Sequence, residues 1–140
     1  MSDCPICEKH RNLETTIFED EYWIVTHGPL DSQILGYLYI EPKRHVENWI
    51  DLSHSELLKV GPLFKRLEEA LKKELDIDRV YTVTISEAVR HLHFHIIPRE
   101  KGNEVKGLPL IEQATQQKVS IRSVDEKTHT NFIQSLGKYF

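Results

Sequence analysis

Residues His91-Leu92-His93-Phe94-His95-Ile96-Ile97 alternate strictly between imidazole and apolar side chains. Successive residues of a β-strand face opposite ways, so the pattern predicts a strand with His91, His93 and His95 on one face, about 7 Å apart per step. Leu92, Phe94 and Ile96 fall on the opposite face and need a core to bury against. A solvated sheet face ordinarily carries Thr, Lys, Glu or Ser. Imidazole at each outward position points to chemistry.

The flanking segments supply the rest of a sheet. Glu21–Thr26 is rich in aromatic and β-branched residues and reads as a strand, followed by turn residues at His27–Ser32. Gly36–Glu41 is a second strand, stopped by Pro42. Residues 1–12 are polar apart from Cys4–Cys7, and no strand or helix of useful length is expected there. Ser53 and Glu56 form a capping box that opens a helix over 53–75. Leu57, Val60, Phe64, Leu67, Leu71 and Leu75 mark its buried face, and Glu68–Lys72 and Glu69–Lys73 pair on the other side. Pro62 predicts a kink, or a helix start closer to it. Arg79–Ile85 and His91–Ile97 follow as strands, the latter ending at Pro98. Ser86–Arg90 is too short a connection for a parallel crossover, so these two pair antiparallel.

Past Arg99, Lys101, Gly102, Asn103 and Gly107 read as a hinge, with amphipathic patterns at Leu110–Gln117 and at Phe132, Ile133, Leu136 and Phe140. The expected fold class is α+β: an antiparallel β-sheet packed with one long helix and a C-terminal helical extension. One domain over residues 1–140 is expected. It divides into an N-terminal segment 1–10, a core 11–100 and an extension 101–140.

Composition excludes several functions. A formal net charge of −4 and a pI near 6.1 do not suit a polybasic nucleic-acid module. The longest mainly apolar stretch, Ile34–Ile40, is far short of the roughly 20 residues of a membrane span, and no charged-then-apolar leader opens the sequence. No membrane or nucleic-acid partner and a cytoplasmic location are therefore expected. The six glycines form neither a Walker-type loop nor a Gly-x-Gly-x-x-Gly motif, which argues against P-loop or dinucleotide-cofactor chemistry.

Three aligned imidazoles suit two chemistries. Neutral ring nitrogens bind metals, so a metalloenzyme with its ion on His91, His93 and His95 is one reading. The other is nucleophilic attack at phosphorus. Imidazole titrates near 6.5, so a large share is unprotonated at neutral pH, while a neighbour can donate a proton. Phosphoryl-type transfer needs mainly positioning and charge stabilisation, which such a row can supply.

The segment 91–97 matches at every position the signature of the histidine triad (HIT) family, His-φ-His-φ-His-φ-φ with φ apolar. Gly36-Tyr37-Leu38-Tyr39-Ile40-Glu41-Pro42-Lys43-Arg44-His45 resembles that family's Gly-(apolar strand)-Pro-Lys-x-His segment, and Cys4-Pro5-Ile6-Cys7 the Cys-x-x-Cys of its zinc-containing bacterial branch. The resemblance implies a HIT-like fold and a nucleotide hydrolase or transferase acting at the α-phosphate of a nucleoside phosphoramidate or dinucleoside polyphosphate. By resemblance His93 is the nucleophile, His95 contacts phosphate oxygens, and His91 sits beside them and also ligates zinc. The family commonly forms homodimers through its long helix and a sheet edge.

Two segments depart from the family pattern. Ser86-Glu87-Ala88-Val89-Arg90 has Ala88 where many members carry a serine and Glu87 where they carry glutamine, with Arg90 as the substitute charge donor. No ribose-binding Asp or Asn plainly follows the first strand, and His27 and Asp31 are the nearest polar candidates. A non-catalytic nucleotide-binding module is the alternative these departures encourage.

Cys-x-x-Cys can be a redox pair, a disulfide, half of a zinc site, or two free thiols. Only three residues precede Cys4, which leaves no strand before it for a redox fold, and the absence of a secretion signal disfavours a disulfide. The resemblance implies a structural zinc on Cys4, Cys7, His45 and His91, with His10 as a local competitor. His54 and His129 are expected to be solvated, Trp23, Trp49, Tyr37 and Tyr39 to be core or interface residues, and Lys43 and Arg44 either to attract an anionic substrate or, as most such pairs are, to be simply solvated.

Overall fold

The computed structural model describes residues 4–11 and 15–140. Its centre is one five-stranded antiparallel sheet in the order β1-β2-β3-β5-β4, made of β1 (Thr16–Glu19), β2 (Trp23–His27), β3 (Leu38–Pro42), β4 (Ile77–Val83) and β5 (Phe94–Glu100). Helices α1 (Pro5–Lys9), α2 (His54–Glu74), α3 (Leu108–Gln116) and α4 (Glu126–Gly137) complete the described chain. The fold is α+β, as the order of elements predicts. Among the described residues no helix is long and apolar enough to cross a membrane.

Alternation along the strands gives the sheet two different faces. Trp23, Val25, Leu38, Ile40, Phe94 and Ile96 bury against Val60, Leu63, Leu67 and Leu71 of α2, with Phe132 and Leu136 of α4 in the same core. The Trp23 indole N–H donates to the Glu56 carbonyl at 2.9 Å and ties β2 to the first turn of α2. On the opposite face, Tyr37 and Ile97 pack with Leu110 and Ala114 of α3.

Helix α2 starts where the capping box places it, with the Ser53 side chain accepting from the Glu56 N–H and Glu56 reaching back to the Ser53 N–H. It runs through Pro62 without restarting, because Pro62 and its unbonded carbonyl partner Leu58 both lie on the exposed side. The buried stripe is phased differently from the expectation. Leu57 is exposed, while Leu63 and Ala70 are buried.

The ends of the chain's elements also move. β1 and α1 were not expected, and β5 lies three residues later than the histidine pattern places it. The strand passes through Pro98 because β3 accompanies it only along Phe94–Ile96. Beyond that point one side of β5 is an edge, where a missing N–H is tolerated. Gly36, at φ +87, turns the chain into β3, and a Cβ there would lie 2.8 Å from Leu71 Cδ2.

Candidate active site and metal centre

Two adjoining centres form where the sheet meets the N-terminal segment. The first begins at the turn of α1. Cys4 caps that helix, its sulfur accepting the Cys7 N–H at 3.3 Å, so one helical turn brings both sulfurs together. His45, just beyond β3, and His91, just before β5, close the group. Cys4 Sγ lies 3.5 Å from His91 Nδ1, and Cys7 Sγ lies 3.5 Å from both His91 Nδ1 and His45 Nδ1. All four donor atoms fall within 4.8 Å of one another.

That spacing fits a tetrahedral ion. Metal–sulfur bonds of about 2.3 Å and metal–nitrogen bonds of about 2.0–2.1 Å place neighbouring S and N atoms about 3.6 Å apart. The free ring nitrogen of His91 is also set correctly, because its Nε2–H donates to the Pro42 carbonyl at 2.9 Å and leaves Nδ1 as the ligand lone pair. Burial pushes His91 down and so favours its neutral, ligating form. His10 takes no part in the group. Its Nε2 meets Glu41 Oε1 at 3.0 Å, while Lys9 Nζ meets Glu41 Oε2 at 2.6 Å. Glu41 is almost fully buried, yet its carboxyl is held below the usual range because His10 and Lys9 outweigh the opposing effect of burial.

The second centre holds His93 and His95. The expected row of three imidazoles is broken, since the ladder begins only at Phe94. The Leu92 N–H donates to Val46 O at 2.7 Å, the His93 N–H to Ser86 Oγ at 3.3 Å, and Thr84 Oγ1–H to His93 O at 2.6 Å. These partners lift 91–93 out of the sheet. His91 turns into the metal group, fully buried with both nitrogens engaged, while the rings of His93 and His95 approach to 5.0 Å.

His93 Nδ1–H donates to its neighbour's carbonyl, His91 O, at 2.7 Å, so its Nε2 carries the free lone pair. His95 Nδ1 lies 2.7 Å from the Tyr37 hydroxyl. Burial, and secondarily His93, lowers His95 to about 4, so it is neutral at pH 7. Ser86 sits at φ +56, a strained value for a non-glycine residue, and holds its hydroxyl 3.4 Å from His93 Nδ1. The loop pattern gives no sign of this Ser86 contact with His93.

The remaining candidates have other partners. His27 is buried, accepting the Gly36 N–H on Nε2 at 2.9 Å and donating Nδ1–H to Gly28 O at 2.8 Å. His129, expected to be solvated, packs edge-on against it at 4.6 Å. Asp31 pairs with Arg122 at 2.9 Å, and Arg90 pairs with Glu47 and Glu87, all on the surface. Lys43 pairs with Glu19 and Arg44 with Glu56.

Burial holds His27 down to about 4, as it does His95, against an ordinary 6.5. The unfolded chain therefore binds more protons between about pH 6.5 and 4, and stability falls as pH drops through that window. At full extent His27 alone is worth on the order of 3 kcal/mol. Urea midpoints measured stepwise are expected to decline from about pH 6.5 downward. His27→Asn should remove a share of the slope above about pH 5 comparable to that carried by His95. An unchanged slope in that variant contradicts the assignment.

Comparison with known proteins gives relatives of the chain in sequence and in fold. A family model described as the HIT domain matches residues 10–102. An uncharacterized HIT-like protein of Methanocaldococcus jannaschii is 31% identical in an alignment 108 positions long that covers 69% of this chain and 82% of the relative. A hypothetical histidine triad nucleotide-binding protein of Sulfolobus tokodaii is 20% identical with a TM-score of 0.71, covering 97% of this chain and 91% of its own. A zinc-bound histidine triad family protein of Mycobacterium smegmatis is 18% identical with a TM-score of 0.67, covering 98% and 95%.

Proposed function

The chain belongs to the histidine triad (HIT) family, and from that premise we propose that it is a nucleotidyl hydrolase or transferase working through a covalent bond to His93. The observation that carries this reading is the His93 ring itself. Its Nδ1–H is committed to His91 O at 2.7 Å, so the lone pair sits on Nε2, beside a second imidazole.

In the reaction, His93 Nε2 attacks the α-phosphorus of a nucleoside phosphoramidate or dinucleoside polyphosphate. The bond from phosphorus to the amine or phosphate leaving group breaks, and that group departs with the electron pair and takes up a proton from solvent. Water or another acceptor then attacks the same phosphorus and gives up its proton to solvent, the bond from phosphorus to His93 Nε2 breaks, and the electron pair returns to Nε2. His95, neutral at pH 7, steadies the phosphate oxygens by hydrogen bonding. His91 supports the site from the metal group. Arg90 and Asp31 are exposed and can exchange their present partners for the rest of a substrate, whereas His27 serves the site through the fold.

Zinc is the ion we assign to Cys4, Cys7, His45 and His91, because a sulfur–nitrogen donor set at tetrahedral spacing suits it. It would be structural, since four protein ligands leave no place for substrate. Thiols kept reduced for such a role fit a cytoplasmic location. We further read the chain as one domain that pairs as a homodimer, supported by exposed Ile50 and Leu58, the open edge of β4, and an apolar cavity lined by Trp49, Phe64, Val80 and Phe94.

The test is to incubate purified protein with adenosine 5′-phosphoramidate and with a diadenosine polyphosphate and to follow AMP release. Release from at least one is expected. Tight nucleotide binding with no release from either would instead support the non-catalytic module.

A further inference from the structure

The two active-site imidazoles are held by different kinds of partner. His93 gives its Nδ1–H to a backbone carbonyl, which can only accept. His95 presents Nδ1 to the Tyr37 hydroxyl, 2.7 Å away, which can donate or accept. Tyr37 is fully buried, its ring lies nearly parallel to that of His95 at 5.9 Å, and Gly28 presses so closely that a Cβ there would sit 2.5 Å from Tyr37 Cδ2. Tyr39 closes the other side, edge-on to both rings.

We propose that Tyr37 is a positioning residue that donates its phenolic proton to His95 Nδ1 and thereby fixes His95 as the Nε2–H tautomer. The available acceptors set the direction of this hydrogen bond. Two polar groups lie near the Tyr37 hydroxyl: His95 Nδ1 at 2.7 Å, and the Tyr39 hydroxyl, whose contact with it is the looser of the two. If Nδ1 carried the proton, the buried O–H would be left with only the looser Tyr39 contact as its acceptor, a poorer arrangement for a buried donor. With Nδ1 as acceptor, both groups are satisfied. Burial also raises Tyr37 far above its ordinary value, so it keeps the proton it must donate.

Two adjacent imidazoles are then fixed in opposite tautomers. His93 is Nδ1–H with a nucleophilic Nε2, and His95 is Nε2–H with a donor facing outward. One ring offers a lone pair and the other a proton. This deepens the nucleotidyl-transfer reading and rests on it for its catalytic meaning, but the tautomer itself is a property of the free protein.

The sequence carries little sign of this role. Tyr37 looks like one more aromatic residue of an apolar strand, and its partner lies 58 positions away. Only the register of β3 on β5, which sets Tyr39 opposite His95, brings the Tyr37 hydroxyl within reach.

Nitrogen-15 NMR of the imidazoles in metal-loaded wild-type protein at neutral pH tests the claim directly. His95 Nδ1 is expected to resonate as an unprotonated acceptor and Nε2 as protonated. Tyr37→Phe should shift His95 to a mixture of tautomers and lower kcat about 10- to 100-fold, with KM within about twofold. A His95 protonated on Nδ1 in the wild type overturns the proposal, as does a Tyr37→Phe variant with unchanged tautomer and kcat. The wild-type spectrum decides the matter if that variant does not fold. Failure of the wild type to turn over any nucleotide would count against the enzyme reading alone, because the spectrum needs no substrate.

Discussion

His93→Asn is expected to lower kcat/KM for AMP release by about 10⁴-fold or more, while nucleotide affinity stays within a few-fold. The amide has nearly the shape of half an imidazole but no basic lone pair, so the ring's place in the loop is kept and its attack is lost. His95→Asn removes a hydrogen-bond donor and not the nucleophile, and should cost less, about 10²- to 10³-fold. The order of the two effects matters as much as their size. Equal activity of wild type and His93→Asn in a steady-state assay would remove His93 from the mechanism, and a larger loss at His95 would exchange the roles.

Cys4→Ser is expected to empty the metal group and to lower the melting temperature by on the order of 10 °C, equivalent to about 3 kcal/mol for a chain of this size. Cys4 is buried and caps α1 while facing His91, so its loss exposes several dependencies at once. Without the ion, α1 is a five-residue helix with little intrinsic stability. Lys9 and His10 then leave Glu41, whose carboxylate is almost completely buried and has no other charged partner among the described residues. An uncompensated buried carboxylate is strongly destabilising. His45→Ala should be milder, since His45 is exposed and lies at the rim. Elemental analysis and calorimetry of the purified variants decide this. Wild-type protein free of zinc, or a Cys4→Ser variant with undiminished metal and melting temperature, contradicts it.

What could be read in the sequence follows from which forces are local. The capping box at Ser53 and Glu56 and the spacing of α2 are local signals, and the helix starts at the expected residue. Its buried stripe includes Leu63 and Ala70 in place of Leu57 because the stripe's phase depends on how the helix lies on the sheet. Helix α1 could not be foreseen. Five polar-flanked residues form it only because Cys4 caps it and Glu41 anchors Lys9 and His10 from another strand. β1 is four residues long, too short for its alternation to stand out, and is held by pairing with β2.

The site divides in the same way. The alternation over 91–97 correctly places Leu92, Phe94 and Ile96 together in the core under α2, although His91 and Ile97 of the other face are buried as well. It does not predict that Ser86, Thr84 and Val46 capture the backbone of 92–93, so that His91 leaves the row for the metal group. The Cys-x-x-Cys spacing marks half of that group, while His45 and His91 came from family resemblance. Tyr37 and Ser86 carry no sequence signal for their contacts with the triad, because those contacts depend on strand register and on a left-handed loop residue.

The covalent route through His93 is tested most directly by the stereochemical course at the α-phosphorus, using an α-phosphorothioate substrate of known configuration turned over in isotopically labelled water. Two successive in-line displacements, first by His93 Nε2 and then by water, predict net retention. Net inversion would mean a single direct attack by water and would contradict a nucleotidyl-histidine intermediate.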